Sequence, residues 1–208
     1  MFTGIVQVLG RVAEFRRVDF GATLIVDPGQ WSHRPGHGES IAVNGCCLTV
    51  TDRDPESPAG SIRFDVIQQT LRMTNLGDLE PGSAVNLEPA VTADQMLSGH
   101  IVQGHIDGVA VITEVQRDPS EWRLTLEPPE HLLDCIIDKG SVTLDGVSLT
   151  VAALHDRTFE VALIPTTLEI TTLGRAEVGT RLNLETDYIA KTVVNWLERQ
   201  REGLRLEA

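Results

Sequence analysis

The sequence predicts an all-β chain in which one small closed barrel is written twice, with a single α-helix at its C-terminal end. Three observations carry this. Motifs recur in the same order in the two halves, the apolar runs are short and rich in β-branched residues, and only the tail has a helical apolar period.

The repeat is clearest in its central strands. "SIAVNGCCLTV" from Ser40 aligns with "SVTLDGVSLTV" from Ser141 at an offset of 101, with Asn44 facing Asp145 and Cys47 facing Ser148. "QTLRMTNLG" (69–77) then aligns with "TTLEITTLG" (166–174) at an offset of 97, and "EPGSAVNLE" (80–88) with "EVGTRLNLE" (177–185). The drop in offset places a few extra loop residues in the first copy, most naturally in "DPESPAG" (54–60). The openings agree in outline, with Gly4 over Gly104.

Within each copy, runs such as "RLTLEP", "SVTLDG", "FEVALI" and "RLNLET" are bounded by Gly, Pro, Asp and Asn, the punctuation of strands and turns. About six strands per copy favour a closed barrel, which leaves no unpaired edge. "PPEHLLDCI" (128–136) predicts a short helix, with Pro at its start and an acid early. In the tail, Ile189, Val193, Trp196 and Leu197 fall at i, i+4, i+7 and i+8, one apolar stripe on a helix. The stripe either folds back on its own barrel or pairs with other subunits, and its recurrence over several turns favours the second. The chain thus divides into residues 1–92, 93–187 and 188–208.

Composition narrows the function. A net charge of −13 over 208 residues argues against an electrostatic grip on nucleic acid or an anionic membrane. No apolar run approaches the ~20 residues of a membrane span. The start, "MFTGIVQVLGR", lacks the basic and apolar regions of a signal peptide. Together with three cysteines in no paired pattern, this predicts reduced thiols and a cytoplasmic protein. His33 and His37 stand four apart, but Pro35 and Gly36 between them oppose a helix presenting both to a metal.

Candidate site residues come from strand alternation. Cys47 and Thr49 share one face, opposite Cys46, Leu48 and Val50; Ser148 and Thr150 share the matching face of the second copy. A small polar group followed by Thr, at equivalent places, suits the rim of a polar ligand. His105, after Gly104, offers a group whose ordinary pKa near ~6.5 suits proton transfer. His100 lies five residues earlier, on the opposite face of an extended chain.

The chain resembles riboflavin synthase. The residues that carry the resemblance are "MFTGIV", "NGCCLTV", "TLRMTNLG", "GHIVQGHIDG", "LDGVSLTV", "LIPTTLEITTLG" and "NLETD" with Lys191, in family order over nearly the whole chain. It implies two six-stranded Greek-key barrels, a homotrimer built around the C-terminal helix, no cofactor and no metal, and it admits association with lumazine synthase. The implied reaction is the dismutation of two 6,7-dimethyl-8-ribityllumazine molecules to riboflavin and a 5-amino-6-ribitylamino-pyrimidinedione, at a site pairing the first barrel of one subunit with the second barrel of another. Two like pockets then hold two like substrates, and the Cys47/Ser148 difference lets them do different jobs.

By position, the resemblance assigns Gly4, Ile5 and Val6, then Cys47, Leu48 and Thr49, then Asp65, Val66, Ile67, Gln68, Gln69 and Thr70 to the first pocket. It assigns Gly104, His105 and Ile106, Lys139, then Ser148, Leu149 and Thr150, then Ile164, Pro165, Thr166, Thr167, Leu168 and Glu169 to the second. Ser40, Cys47, His105, Ser148, Thr150 and Asp187 are implied as proton-handling or polarising groups, with Phe2 packing at the site. Gln69 departs from the Glu of many family members. The rival reading is a non-catalytic lumazine or flavin carrier of the antenna type with the same fold; the presence of Cys47, His105 and both pocket sequences favours the enzyme.

Overall fold

The computed structural model describes residues 1–53, 60–118 and 121–206. Strands β1 (Val8–Val18), β2 (Gly21–Asp27), β3 (Ser40–Val43), β4 (Cys46–Arg53), β5 (Ile62–Ile67) and β6 (Ala84–Pro89) close one antiparallel barrel. β7 (Gly108–Asp118), β8 (Glu121–Glu127), β9 (Ser141–Leu144), β10 (Val147–Leu154), β11 (Phe159–Leu163) and β12 (Arg181–Thr186) close a second. The cyclic order β1-β2-β5-β4-β3-β6 recurs as β7-β8-β11-β10-β9-β12. The copies share even their irregularities. The register slips between Val12 and Glu14 and between Ile112 and Glu114, and again between Val50 and Asp52 and between Val151 and Ala153. Such bulges bend strands tightly enough to close a small barrel.

Each barrel is filled by inward-facing side chains: Leu24, Val50, Ile62, Phe64 and Leu87 in the first, Leu124, Leu126, Val151, Phe159 and Leu184 in the second. Phe64 and Phe159 are fully buried at equivalent places, and truncating either to Ala would cost about 3–5 kcal/mol. The β4–β5 connection runs from Arg53 to Ile62, whereas β10–β11 runs from Leu154 to Phe159, so the four-residue offset change falls there. Residues 54–59 of the proposed insertion lie outside the described residues.

Two helices escape the sequence reading. α1 (Gln68–Met73) follows β5, and α2 (Pro165–Ile170) follows β11; six residues are too few for an apolar period to register. Each ends where a threonine turns the chain: Thr74 donates to the Thr70 carbonyl at 2.7 Å, and Thr171 to that of Thr167 at 2.6 Å. The helix expected at 128–136 forms as a 3₁₀ segment, Glu130–Cys135. α3 (Tyr188–Leu206) is the tail helix. Lys191 pins it to the second barrel by an ion pair with Asp107 at 2.6 Å. Ile189, Val193, Trp196 and Leu197 are all exposed on the single chain. No helix among the described residues is long and apolar enough to cross a membrane.

The barrels meet through reciprocal contacts between matching turns. Gly45 and Gly146 face each other there, and a Cβ on Gly45 would come within 2.6 Å of the Gly146 nitrogen. Polar groups from the turns interlock around them. Asn86 donates to the Asp145 carbonyl at 2.8 Å and Asn183 to the Asn44 carbonyl at 2.9 Å. The Asn44 and Asp145 side chains in turn accept the N–H groups of Asn86 and Asn183, at 2.8 and 2.7 Å. Asp145 is the one charged member of this fourfold pattern. Burial raises its pKa to about 7, against the opposing pull of its bonds from Asn183 and Asn75.

Candidate functional site

Alternation along β4 and β10 sets the site. Cys46, Leu48 and Val50 point into the first core, leaving Cys47 and Thr49 on the outer face. Val147 and Val151 do the same in the second barrel, leaving Ser148 and Thr150 outside. Ser40 sits directly across from Thr49 in the β3–β4 pairing and so shares the outer face of Cys47. All three cysteines are free thiols. Burial pushes the Cys46 thiol up to about 12, with the neighbouring Cys47 and Glu185 adding to it, so Cys46 is an inert packing group.

The arms that cover these faces are exchanged between the barrels, which corrects the pocket assignment implied by position. The segment Gly104–Ile106 precedes the second barrel but lies over the first. The Gly104 carbonyl accepts the N–H of Cys47 at 2.8 Å, and Ile106 packs against the first core. Conversely, the Gly4 carbonyl accepts the N–H of Ser148 at 2.7 Å, and Val6 is part of the second core. The arms cross between Phe2 and Val102, which bridge each other through bonds of 2.7 and 3.2 Å. Phe2 is fully buried in a small cluster with Ala42, Val102, Cys47 and Ala90. Approach is tight. A Cβ on Gly104 would stand 2.7 Å from that of Cys47, and one on Gly4 2.6 Å from that of Ser148.

The first pocket is an open cleft of about 290 Å³. It brings together Cys47, Ile67, Gln69, Thr70, Gly104, His105 and Ile106 of the expected set, and adds Cys46, Met73 and Thr74. Val66, assigned to it by position, is buried in the barrel core, because alternation turns it inward; only its backbone can reach a ligand. Leu48 and Val6 are turned inward in the same way. Asp65 stays outside, 3.4 Å from the Thr23 hydroxyl and 3.9 Å from Arg63. Gln68 is exposed at the start of α1.

On the second face, Ser148 has a partner that sequence reasoning missed. His100 Nδ1 lies 2.8 Å from Ser148 Oγ, and its Nε2 lies 3.2 Å from Thr143 Oγ1. Burial lowers the His100 pKa, with the charge of Asp187 opposing, so the ring favours the neutral form, which accepts at one nitrogen and donates at the other. Ile5 and Ile164 are exposed, Thr166, Thr167 and Glu169 follow Pro165 in α2, and Leu149 and Leu168 pack partly on the second core. Lys139 has φ +60 and bonds through its ammonium to the Ala152 carbonyl, with Asp138 at 3.8 Å. Asp187, expected to handle protons, caps α3: its Oδ1 accepts the N–H groups of Ile189 at 2.8 Å and Ala190 at 3.2 Å. It also borders an apolar groove of about 470 Å³ between α3 and the second barrel, with Ser141 and Cys135. Among the described residues no group of three His, Cys, Asp or Glu side chains is placed to hold a metal.

Two closed barrels, each with the outer face of its central strand met by its sibling's arm, define a tandem lumazine-binding protein: residues 3–90 and 103–187 each match the lumazine binding domain. The chain is 48% identical over 198 residues to the riboflavin synthase of Mycobacterium tuberculosis, spanning 93% of this chain and 96% of that one. With the riboflavin synthase of Escherichia coli it shares 37% identity over 201 residues, 96% of this chain and 92% of that one. The solved structure of LumP complexed with 6,7-dimethyl-8-(1'-D-ribityl) lumazine superposes with a TM-score of 0.76 at 25% identity, covering 89% of this chain and 99% of that one. The chain belongs to the riboflavin synthase family.

Proposed function

We propose that this chain converts two molecules of 6,7-dimethyl-8-ribityllumazine into riboflavin and a 5-amino-6-ribitylamino-pyrimidinedione. One lumazine lies against Cys47 and His105, and its partner against Ser148 and Thr150 of another subunit. Residues 1–92 and 93–187 act as the two lumazine-binding barrels, and 188–208 as the helix that assembles a cytoplasmic homotrimer. The observation that carries this reading is the pair of outer strand faces built to one plan, Cys47 and Thr49 in one barrel and Ser148 and Thr150 in the other, each met by its sibling's arm. The family membership supports the reaction, and the exposed stripe of α3 supports the assembly.

The chemistry suits such a site. The C7 methyl of one lumazine is acidic because its carbanion delocalises into the ring, and a nucleophile adds at C7 of the other. A four-carbon unit then passes between two identical molecules, and the atoms of the two substrates account for both products without an external oxidant. Holding two rings stacked and antiparallel can supply up to ~7–11 kcal/mol of the barrier, more than the roughly 10²–10⁴-fold that one acid–base group adds. His105 in the first pocket and the Ser148–His100 pair in the second are the groups that move protons. Ser40 borders the first face, Thr150 the second, and Asp187 acts through the start of α3.

Purified protein with a chelator present should consume two lumazines for each riboflavin formed, followed by absorbance and chromatography. Stable lumazine binding with no riboflavin would transfer the chain to the carrier class.

A further inference from the structure

Two buried carboxylates stand outside the chemistry assigned above. Glu88, in β6, accepts the N–H groups of Thr3 at 2.7 Å and Gly4 at 3.0 Å, and the Thr3 hydroxyl at 2.8 Å. Glu185, at the equivalent place in β12, accepts the N–H groups of Gln103 at 2.7 Å and Gly104 at 2.9 Å. Both side chains are buried. Burial raises both pKa values, that of Glu185 to about 7, while the bonds they accept pull the other way. A buried carboxylate is costly unless its oxygens are satisfied, and here successive backbone N–H groups do most of that work. Successive backbone N–H groups of a turn can converge on one anion, and directly after each pair the chain turns left-handed, at Gly4 (φ +77°) and Gly104 (φ +78°).

The next peptide along each arm faces the opposite barrel. Gly104, held by Glu185 of the second barrel, offers its carbonyl to Cys47 of the first. Gly4, held by Glu88 of the first, offers its carbonyl to Ser148 of the second. We infer that Glu185 and Glu88 are positioning residues in a crossed sense, each fixing the arm that roofs the other barrel's pocket. Glu185 sets where His105 stands against Cys47, and Glu88 sets where Ile5 stands against Ser148. This rests on the reading of the two outer faces as ligand pockets. Its geometric core, carboxylate to arm to strand, can be tested without any ligand.

The test is Glu185→Gln and Glu88→Gln in the full chain. Glutamine keeps the length but leaves one acceptor oxygen for two converging N–H groups. In the ligand-free protein, amide hydrogen exchange by NMR should show the Cys47 N–H opening about tenfold faster or more in Glu185→Gln, with the Ser148 N–H unchanged. Glu88→Gln should show the reverse. Riboflavin fluorescence quenching then reads each pocket, with Thr150→Trp obstructing the second or Gln69→Trp the first. Glu185→Gln should weaken the first pocket about tenfold and leave the second within about twofold, and Glu88→Gln the converse. If either Gln variant does not fold, the Asp variant, which keeps the charge and shortens the reach, carries the same crossed expectation. A carboxylate that merely supports its own barrel would loosen its own barrel's strand and pocket, or both equally. That pattern, or no change at either amide, overturns the inference. Crossed exchange effects without riboflavin binding would leave the inference standing and count against the proposed function instead.

Discussion

The Gly104 carbonyl accepts the N–H of Cys47 at 2.8 Å, although the two residues belong to different barrels by sequence. The Gly4 carbonyl and the Ser148 N–H repeat the contact at 2.7 Å in the reciprocal sense. The outer face of each barrel's central strand is therefore met by an arm from the neighbouring repeat.

This exchange makes Gly104→Ala a local test. The new Cβ would meet Cys47 Cβ at 2.7 Å and the Phe2 ring at 2.9 Å, at a φ of +78°. The left-handed conformation alone costs a side-chain-bearing residue about 1–2 kcal/mol. Both barrels should still fold, by circular dichroism, while turnover falls about tenfold or more as the arm lifts from Cys47.

His100→Gln probes the second pocket. The substitution removes the neutral ring that holds Ser148 Oγ at 2.8 Å. Turnover should fall about 10²-fold while riboflavin affinity changes little, since a proton-moving group acts on the transition state more than on binding. In the wild type, acid should protonate His100 and convert its accepting nitrogen into a donor. Because burial lowers the His100 pKa, this loss should fall below the ordinary histidine value of about 6.5. The acid limb should be missing in His100→Gln.

Asp145→Asn concerns stability. With its pKa raised to about 7, Asp145 keeps in the folded state a proton that the unfolded chain loses near its ordinary value of about 3.9. Stability from this group is full below that value and is lost as pH rises to about 7 and beyond. Asn44, at the matching place in the first barrel, already makes the equivalent bond as an amide. The substitution should therefore flatten the pH dependence and stabilise the protein by about 1–3 kcal/mol at pH ~8, with little gain at pH ~4. Urea unfolding at the two pH values reads this directly.

Much of this was legible in the sequence, and the rest was hidden for identifiable reasons. The strand around Cys47 and Ser148 declared its two faces by alternation, and the twelve strands fell where β-branched runs meet turn residues. The exchange of arms was invisible because the repeat aligns Gly4 with Gly104 whichever barrel each one roofs. His100 lies outside the stretch matched from Gly4 and Gly104 onward, so the repeat could not single it out. Glu88 and Glu185 were in plain sight as the shared "NLE". Alternation with the inward Leu87 and Leu184 puts both on the outer face, where a carboxylate is ordinary, so nothing in the strand pattern showed that an arm buries them. α1 and α2 were too short to show a period, and the polar interlock of Asn44, Asn86, Asp145 and Asn183 is a property of two turns meeting in space.

The central claim is that one lumazine occupies the Cys47 pocket and its partner the Ser148 face of a different chain. Subunit mixing tests it most directly. Gln69→Trp obstructs the first pocket and Thr150→Trp the second; both positions are exposed, so folding should survive. Each variant alone should be inactive. Oligomers assembled from both, isolated through two different affinity tags, should recover riboflavin formation, because an open first pocket on one chain then meets an open second face on another. Mixed oligomers that stay at the level of the single variants, while remaining assembled, would contradict the account.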